Sequence, residues 1–247
     1  LLSDRTKIVA VTQVSNALGT VVPVKDIVEL AHRAGAKALI DGAQSVSHMP
    51  VDVQALGADF FVFSGHKIFG PTGIGALWGR REVLEDMPPW QGGGNMIADV
   101  TFEKTVYQPI PTLFEAGTGN IADAVGLGAA LAYVQRIGLP NISRYEHDLL
   151  AYATGCLRQV QGVRLVGTAP DKASVLSFVL KGYAPEEVGT ALNREGIAVR
   201  AGHHCAQPIL RRFGLEASVR PSLAFYNTPE EVDHFVRVVD RLARARR

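Results

Sequence analysis

Cysteine is scarce in this sequence, with two residues in 247, Cys156 and Cys205. Two cysteines in dissimilar surroundings do not predict a disulfide framework of the kind that small secreted domains use, so we expect a reducing, cytoplasmic compartment. Long apolar runs are also missing, and none approaches the roughly 18 residues that a membrane-spanning helix needs. We therefore expect no membrane partner.

The sequence also lacks an excess of positive or of negative charge. Lysine and arginine number 25 against 24 aspartate and glutamate residues, which gives a formal net charge of +1. Such a balance gives no reason to expect nucleic acid as a partner. The chain is 47% hydrophobic and 20% charged, a composition that favours a globular protein over a disordered one. Its length allows one large core, or a large and a small one.

One stretch stands out chemically, the segment 60–75, which reads FFVFSGHKIFGPTGIG. An apolar strand ends in Ser64, His66 and Lys67, and a glycine-rich turn then leads into a second apolar run. A lysine in a largely desolvated pocket can bind an aldehyde covalently and can act as nucleophile and base. The alternative is a lysine that simply ends a strand in solvent.

A second polar strand end lies upstream, at Asp41 and Gln44 in the segment ALIDGAQ. Ligands of an open parallel sheet bind beyond the carboxyl ends of its strands, where both Asp41 and Lys67 would lie. This pair suits pyridoxal phosphate, because the carboxylate keeps the pyridine nitrogen protonated and the lysine carries the aldehyde. Ser64 and His66 would bind the phosphate, and Gln44 the ring oxygen. Asp41 alone is equally compatible with an ordinary turn.

The element pattern changes along the chain. Strands and helices alternate from Ile8 onwards, which predicts a parallel-rich sheet covered by helices. The segment 123–137 has small and apolar residues at helical spacing, which predicts a helix packed into the core. We therefore expect an α/β large domain over residues 1–168.

The remainder, residues 169–247, is predicted to form a small α+β domain. Its expected strands are Val175–Leu180, Ile197–Arg200 and Ser218–Phe225. A last helix opens at Thr228 with a capping box and a proline in the first helical position.

A second chemical centre lies in this small domain, at Cys205 in the segment RAGHHCAQP. Two histidines and Arg200 surround the cysteine, a setting that favours a reactive thiolate. A zinc site is one alternative, although adjacent residues rarely bind one ion together and no second ligand pair stands elsewhere at metal spacing. A structural cysteine is the other. We expect no metal.

Several motifs in order resemble those of the class V aminotransferase family, in its cysteine desulfurase and selenocysteine lyase (SufS-like) branch. They run along essentially the whole chain: DGAQ, FSGHK, PTGIGALW, PPWQGGGNMI, FEAGT, RAGHHCAQP and RPSLAFYNT. The resemblance implies a fold-type I pyridoxal phosphate enzyme with the small domain appended at its carboxyl end. Relatives carry a further segment of roughly 150 residues upstream, a length in line with ordinary domain sizes, so the sequence is expected to lack their amino-terminal part.

The resemblance also implies roles for individual residues. Lys67 and Cys205 would be catalytic, and Asn16, Arg200 and Arg220 would bind the substrate. Cofactor contacts are implied for six residues: Asp41, Gln44, Ser64, His66, Lys67 and Thr118. Because the threonine of relatives contacts the other subunit's cofactor, a homodimer is implied.

The function implied is conversion of L-cysteine to L-alanine, with a persulfide left on Cys205. The sulfur would pass to an acceptor protein of iron–sulfur cluster assembly. L-selenocysteine as substrate, another class V reaction, and a catalytically incomplete chain that acts as a structural or partner-binding module remain as alternatives.

Overall fold

A computed structural model of the chain describes residues 1–246 and divides into two compact units. Unit 1 comprises Leu1–Thr12, Pro23–Ser47 and Asp52–Arg136. Unit 2 comprises Gln13–Val22, His48–Val51 and the chain from Ile137 onwards. Two short upstream segments thus belong with the carboxyl-terminal part. The domain boundary expected at residue 168 stays a prediction.

Unit 1 contains a mixed sheet, a hairpin and four helices. In chain order its elements are β1 (Ile8–Thr12), α1 (Val24–Arg33), β2 (Lys37–Asp41), α2 (Val53–Leu56), β3 (Phe60–Ser64), β4 (Gly75–Gly79), α3 (Arg81–Glu85), β5 (Ile97–Val100), β6 (Thr105–Tyr107) and α4 (Ile121–Ile137).

The sheet of unit 1 has the order β1-β2-β3-β4. Strands β1, β2 and β3 are parallel, with Asp41 opposite Thr12 on one side and Val62 on the other. Strand β4 runs antiparallel to β3, with Ser64 opposite Gly75. The carboxyl ends of the three parallel strands therefore share one edge, and the predicted parallel-rich α/β sheet is confirmed.

Local sequence signals account for α1. Val24, Val28 and Ala31 are buried and recur at helical spacing, so one face of the helix packs inwards. The helix ends where Gly35 adopts a φ of 72°, a left-handed conformation that a residue without Cβ adopts at little cost.

Two features of unit 1 differ from expectation. The β5–β6 hairpin occupies a stretch in which no element is predicted. The apolar residues predicted to pack inwards from α4 do not all face a core, because Leu127 and Val134 are buried while Val125 is exposed. A helix of small and apolar residues on several faces gives no single inward stripe, so periodicity misassigned the exposed ones.

Unit 2 contains an antiparallel sheet and four helices. In chain order its elements are α5 (Leu139–Arg158), β7 (Val163–Val166), β8 (Ser177–Leu180), α6 (Pro185–Arg194), β9 (Arg200–Gly202), α7 (Gln207–Arg212), β10 (Ser218–Arg220) and α8 (Pro229–Ala245).

The sheet of unit 2 has the order β7-β8-β10-β9, and every neighbouring pair is antiparallel. Helices α5, α6 and α8 bury their apolar sides in one core with it. At its centre, Phe178 packs edge-on against Phe235 with the ring centroids 5.9 Å apart. Aromatic pairs favour this geometry over stacking face to face.

Helix α8 begins as predicted. The Thr228 hydroxyl accepts from the Glu231 amide at 3.3 Å, and the Glu231 carboxylate accepts from the Thr228 amide at 3.1 Å. These reciprocal bonds satisfy two backbone donors that an uncapped helix would leave free.

The strands around Cys205 lie elsewhere than predicted. The strand expected at Ile197–Arg200 is observed at Arg200–Gly202, and the one expected at Ser218–Phe225 ends at Arg220. Strand β7 and helix α7 are not predicted. Short strands of three or four residues are set by their neighbours in the sheet, which local composition does not reveal. Among residues 1–246, no helix is both long and apolar enough to cross a membrane.

Candidate active-site residues

The edge formed by the ends of β2 and β3 carries most of the predicted cofactor residues. Asp41 closes β2, and its Oδ1 accepts a hydrogen bond from the Ala43 amide at 2.8 Å. The other carboxylate oxygen forms no hydrogen bond within residues 1–246. Asp41 therefore keeps an acceptor available at the ligand-binding edge of the sheet.

Close packing fixes the backbone beside Asp41. A Cβ atom placed on Gly42 would lie 1.9 Å from the Phe61 ring, far inside van der Waals contact. The glycine of the DGAQ motif is therefore required by the neighbouring strand, in which Phe61 is buried.

Ser64 ends β3, and the next four residues, Gly65–Ile68, form a single 3-10 turn. The Ser64 hydroxyl and Nδ1 of His66 are hydrogen-bonded at 2.8 Å, which leaves Nε2 of the imidazole unused. Gly65 is again dictated by space, because a Cβ there would lie 2.8 Å from Cγ2 of Ile74. The turn thus presents a hydroxyl and an imidazole side by side.

Lys67 lies in this turn and its side chain is exposed. Its amine forms no hydrogen bond or ion pair with residues 1–246. The expectation that Lys67 lies in a largely desolvated pocket is therefore wrong for this chain. The 3-10 turn leads the side chain away from the strand core. The turn nevertheless leaves an unpaired amine near two phosphate-compatible groups, Ser64 and His66.

Thr118 and Gln44 complete the predicted cofactor set. Thr118 lines a small surface cavity of about 360 Å³ with Gly94, Asn95 and Gly117. No hydrogen bond between described residues joins Thr118 or Gln44 to Ser64, His66 or Lys67. The structure thus brings Ser64 and His66 into direct contact, places Asp41 on their edge of the sheet, and leaves Thr118 in a separate loop.

In unit 2, the loop that carries Cys205 has an unusual backbone. His204 and Cys205 have φ angles of 56° and 55°, two successive side-chain-bearing residues in the left-handed region. Such a conformation costs about 1–3 kcal/mol for each residue, persists only where the surrounding structure enforces it, and is concentrated at active sites. The result is an exposed thiol at the tip of the loop.

Arg200 and His203 both contact Cys205. An Arg200 Nη atom lies 3.8 Å from Sγ, and Nδ1 of His203 accepts from the Cys205 amide at 3.0 Å. Arg200 therefore places positive charge where it can stabilise negative charge on sulfur. Nδ1 of His203 is thus occupied by the backbone of the same loop. No group of three or more His, Cys, Asp or Glu residues within 1–246 is arranged to hold a metal ion.

His204 is buried, with 1% of its surface exposed. Its Nε2 lies 2.9 Å from the Ser218 hydroxyl and 3.1 Å from the Ser218 carbonyl oxygen. Burial, assisted by the positive charge of Arg220, lowers the pKa of His204 to about 4. His204 is therefore a neutral anchor of the loop, a role that no local pattern signals because Ser218 lies 14 residues further on.

This pKa predicts an acid-sensitive loop. An unfolded histidine binds a proton near pH 6.5, whereas folded His204 does so only near pH 4, so the unfolded state holds more protons between these values. His204 thus contributes stability above pH 6.5 that is lost as the pH falls towards 4. Between pH 7 and pH 4 we expect the wild type to lose roughly 3 kcal/mol more unfolding free energy than H204Q. Urea unfolding at both pH values measures this, and equal losses in the two proteins would refute it.

Two predicted substrate residues meet in unit 2. Nδ2 of Asn16 donates to the His204 carbonyl oxygen at 2.7 Å, and an Nη atom of Arg220 donates to the Asn16 carbonyl oxygen at 2.6 Å. Asn16 thereby links the loop of Cys205 to the end of β10.

Arg220 is half-buried and has no acidic partner within residues 1–246. Its Nε atom is buried without a hydrogen bond in this part of the chain. Burial and, secondarily, the positive charge of Arg200 lower the pKa of the Arg220 guanidinium. A desolvated arginine without a carboxylate is suited to bind one from a ligand.

Comparisons with known proteins identify relatives of this chain. The chain is 72% identical over 242 residues to the cysteine desulfurase of Synechococcus elongatus, a match that covers 98% of this chain and 39% of that protein. A probable cysteine desulfurase of Mycolicibacterium paratuberculosis is 70% identical, with 98% of this chain and 36% of that protein covered. The chain thus spans well under half the length of these two relatives.

Solved structures give the same result. The cysteine desulfurase CsdA (S-sulfonic acid) from Escherichia coli matches with a TM-score of 0.94 and 40% identity, over 98% of this chain and 60% of that one. This likeness confirms the predicted fold. A family model described as Aminotransferase class-V matches residues 1–235. The chain belongs to the class V aminotransferase family.

Proposed function

We propose that this chain carries the cofactor-binding and sulfur-accepting residues of a pyridoxal phosphate-dependent cysteine desulfurase. The observation that carries the proposal is the loop of Cys205, in which two left-handed residues present an exposed thiol beside Arg200. Transaminases and related members of the family need a lysine and an aspartate but no such thiol. The high identity to proteins named cysteine desulfurase supports the same assignment.

The residues at the sheet edge of unit 1 fit the cofactor. Asp41 has a free carboxylate oxygen for the pyridine nitrogen, and Lys67 has an unpaired amine for the aldehyde. Ser64 and His66 are already paired and offer donors to a phosphate, and Gln44 is assigned to the ring oxygen. When bound, pyridoxal phosphate withdraws electrons from Cα of the amino acid.

The substrate carboxylate is assigned to unit 2. Arg220 has a half-buried guanidinium with an unused Nε–H and no acid of its own. The carbonyl oxygen of Asn16 holds the guanidinium in place, because it accepts a hydrogen bond from an Nη atom of Arg220 at 2.6 Å. Arg200 adds a second positive charge. We assign to Lys67 the movement of the Cα proton, since its amine has no competing partner.

Cys205 is the proposed sulfur acceptor. Its thiolate attacks the sulfur of L-cysteine, so that a sulfur–sulfur bond forms on Cys205 as the carbon–sulfur bond of the substrate breaks. The electron pair of the broken bond stays with Cβ, which takes up a proton, and the carbon skeleton leaves as L-alanine. Exposure of the thiol suits the next step, transfer of the persulfide sulfur to an acceptor protein of iron–sulfur cluster assembly.

A homodimer in a reducing, cytoplasmic setting is part of the proposal. Trp90 and Phe102 of unit 1 are exposed to 84% and 107%, and tryptophan and phenylalanine are enriched in protein interfaces relative to the rest of the surface. Thr118 is assigned to the phosphate of the cofactor bound by the second copy. Two free cysteines are compatible with a reducing compartment.

The experiment is an assay of L-alanine and sulfide formation from L-cysteine, with added pyridoxal phosphate and a thiol reductant. The expected result is stoichiometric formation of both products, with L-selenocysteine tested in parallel as the second substrate. Sedimentation of the same sample should give twice the chain mass. A chain that retains the cofactor but forms neither product would contradict the desulfurase assignment.

A further inference from the structure

A cavity in unit 2 lies outside all the residues assigned above. It has a volume of about 310 Å³ and lies between helix α5 and the segment 165–172, which comprises the end of β7 and the residues after it. Its walls include Leu150, Leu165 and Leu176, together with the polar side chains of Thr154 and Thr168. A volume near 300 Å³ is at the lower end of the range for small-molecule sites.

Two cationic side chains line this cavity, Lys172 and Arg158. Lys172 is half-buried, and its ammonium donates to the carbonyl oxygen of Gly167. An ammonium has three donors, so two remain. Arg158 forms no hydrogen bond or ion pair with the described residues. Most donors of both groups are therefore unused.

No acid in the described part of the chain neutralises this pair. Glu146 is buried, and its carboxylate lies 2.7 Å from Nδ1 of His48. It is therefore paired with His48 and forms no ion pair with Lys172 or Arg158. Asp171 precedes Lys172 in sequence but forms no ion pair with it. His147 also lines the cavity. Burial and, secondarily, the positive charge of Arg158 lower the pKa of Lys172 to about 8.

We infer that this cavity is a binding site for a small oxyanion, of the phosphate or phosphate-ester class, held by Lys172 and Arg158. Charge-assisted hydrogen bonds from two cations would satisfy the donors that the protein leaves unpaired. The hydroxyls of Thr154 and Thr168 supply further donors, and the leucine wall accommodates an apolar substituent on the anion. This site would be separate from the proposed phosphate ligands Ser64 and His66, which belong to unit 1.

The test follows Lys172 itself, so that phosphate bound elsewhere does not interfere. The full chain is reductively methylated with and without inorganic phosphate, at constant ionic strength set with chloride, and each lysine is quantified by peptide mass spectrometry. Saturating phosphate is expected to slow modification of Lys172 at least tenfold and to leave exposed Lys25 unchanged. The pH dependence of the rate should show that phosphate raises the pKa of Lys172, because a bound anion stabilises the ammonium.

Two variants separate binding from general charge effects. In R158Q, the methylation rate of Lys172 without phosphate divided by its rate with phosphate should fall close to one at the same phosphate concentration. In R33Q, which removes an exposed arginine from α1, the tenfold ratio should persist. Unchanged modification of Lys172 in phosphate would overturn the inference, as would equal protection in R158Q. Protection by added chloride alone would also overturn it, since that result would reflect screening.

Discussion

Alanine formation from L-cysteine is expected to fall roughly 10³-fold or more in C205A, whereas retention of pyridoxal phosphate stays unchanged. The variant removes the only thiol that lies beside Arg200 on the strained loop, and loss of a nucleophile costs factors of this order or larger in enzymes that use covalent catalysis. The binding residues at the sheet edge of unit 1 are untouched. The measurement is the initial rate of alanine formation, with the cofactor content determined on the same sample.

The matched control is C156A, because Cys156 is the other cysteine and lies half-buried in α5. Its rate should stay within about twofold of the wild type. Mass spectrometry after one turnover without reductant should find an added sulfur atom on Cys205 in both the wild type and C156A. A C205A chain that still forms alanine at the wild-type rate would remove the thiol from the proposed reaction.

In K67A, covalent retention of pyridoxal phosphate is expected to be lost, and alanine formation to fall by roughly 10³-fold or more. An amine forms with the cofactor's aldehyde the imine that borohydride converts into a stable bond, and general acid–base catalysis by a positioned group contributes up to about 10⁴-fold by itself. Lys67 is unpaired and lies next to the bonded pair Ser64–His66. Borohydride treatment followed by denaturing gel filtration measures the retained cofactor.

Peptide mapping gives the control for this prediction. In the wild type, the reduced cofactor should be found on the peptide that contains Lys67, and K25A should behave in the same way because Lys25 is an exposed residue of α1. If the label is found on another lysine, or if K67A retains as much cofactor as the wild type, then Lys67 is not the residue that binds the aldehyde.

Local patterns were enough to predict several elements. The capping box of Thr228 and Glu231 marks the start of α8, as predicted. The polar residues after two apolar runs, Asp41 and Ser64, do end parallel strands at one edge. These features depend on spacing and capping within a few residues, which a sequence displays directly.

Other features depended on partners distant in sequence. The neutral state of His204 results from burial against Ser218, and the exposure of Ile121 and Val125 depends on which face of α4 meets the core. The oxyanion cavity likewise joins α5 to the segment 165–172. No local sequence pattern indicates any of these contacts between distant segments.

The sequence by itself determined the family, the alternation of strands and helices, and the reactive residue types at Asp41, Lys67 and Cys205. Residue types and short-range periodicity can be read directly from a sequence. Only the tertiary structure decided that β9 starts at Arg200, that Cys205 sits on a left-handed turn, and that Lys67 is exposed. Burial and backbone strain are set by contacts between segments far apart in the chain. The energetic effects of burial and of backbone strain are therefore known only once the fold brings those segments together.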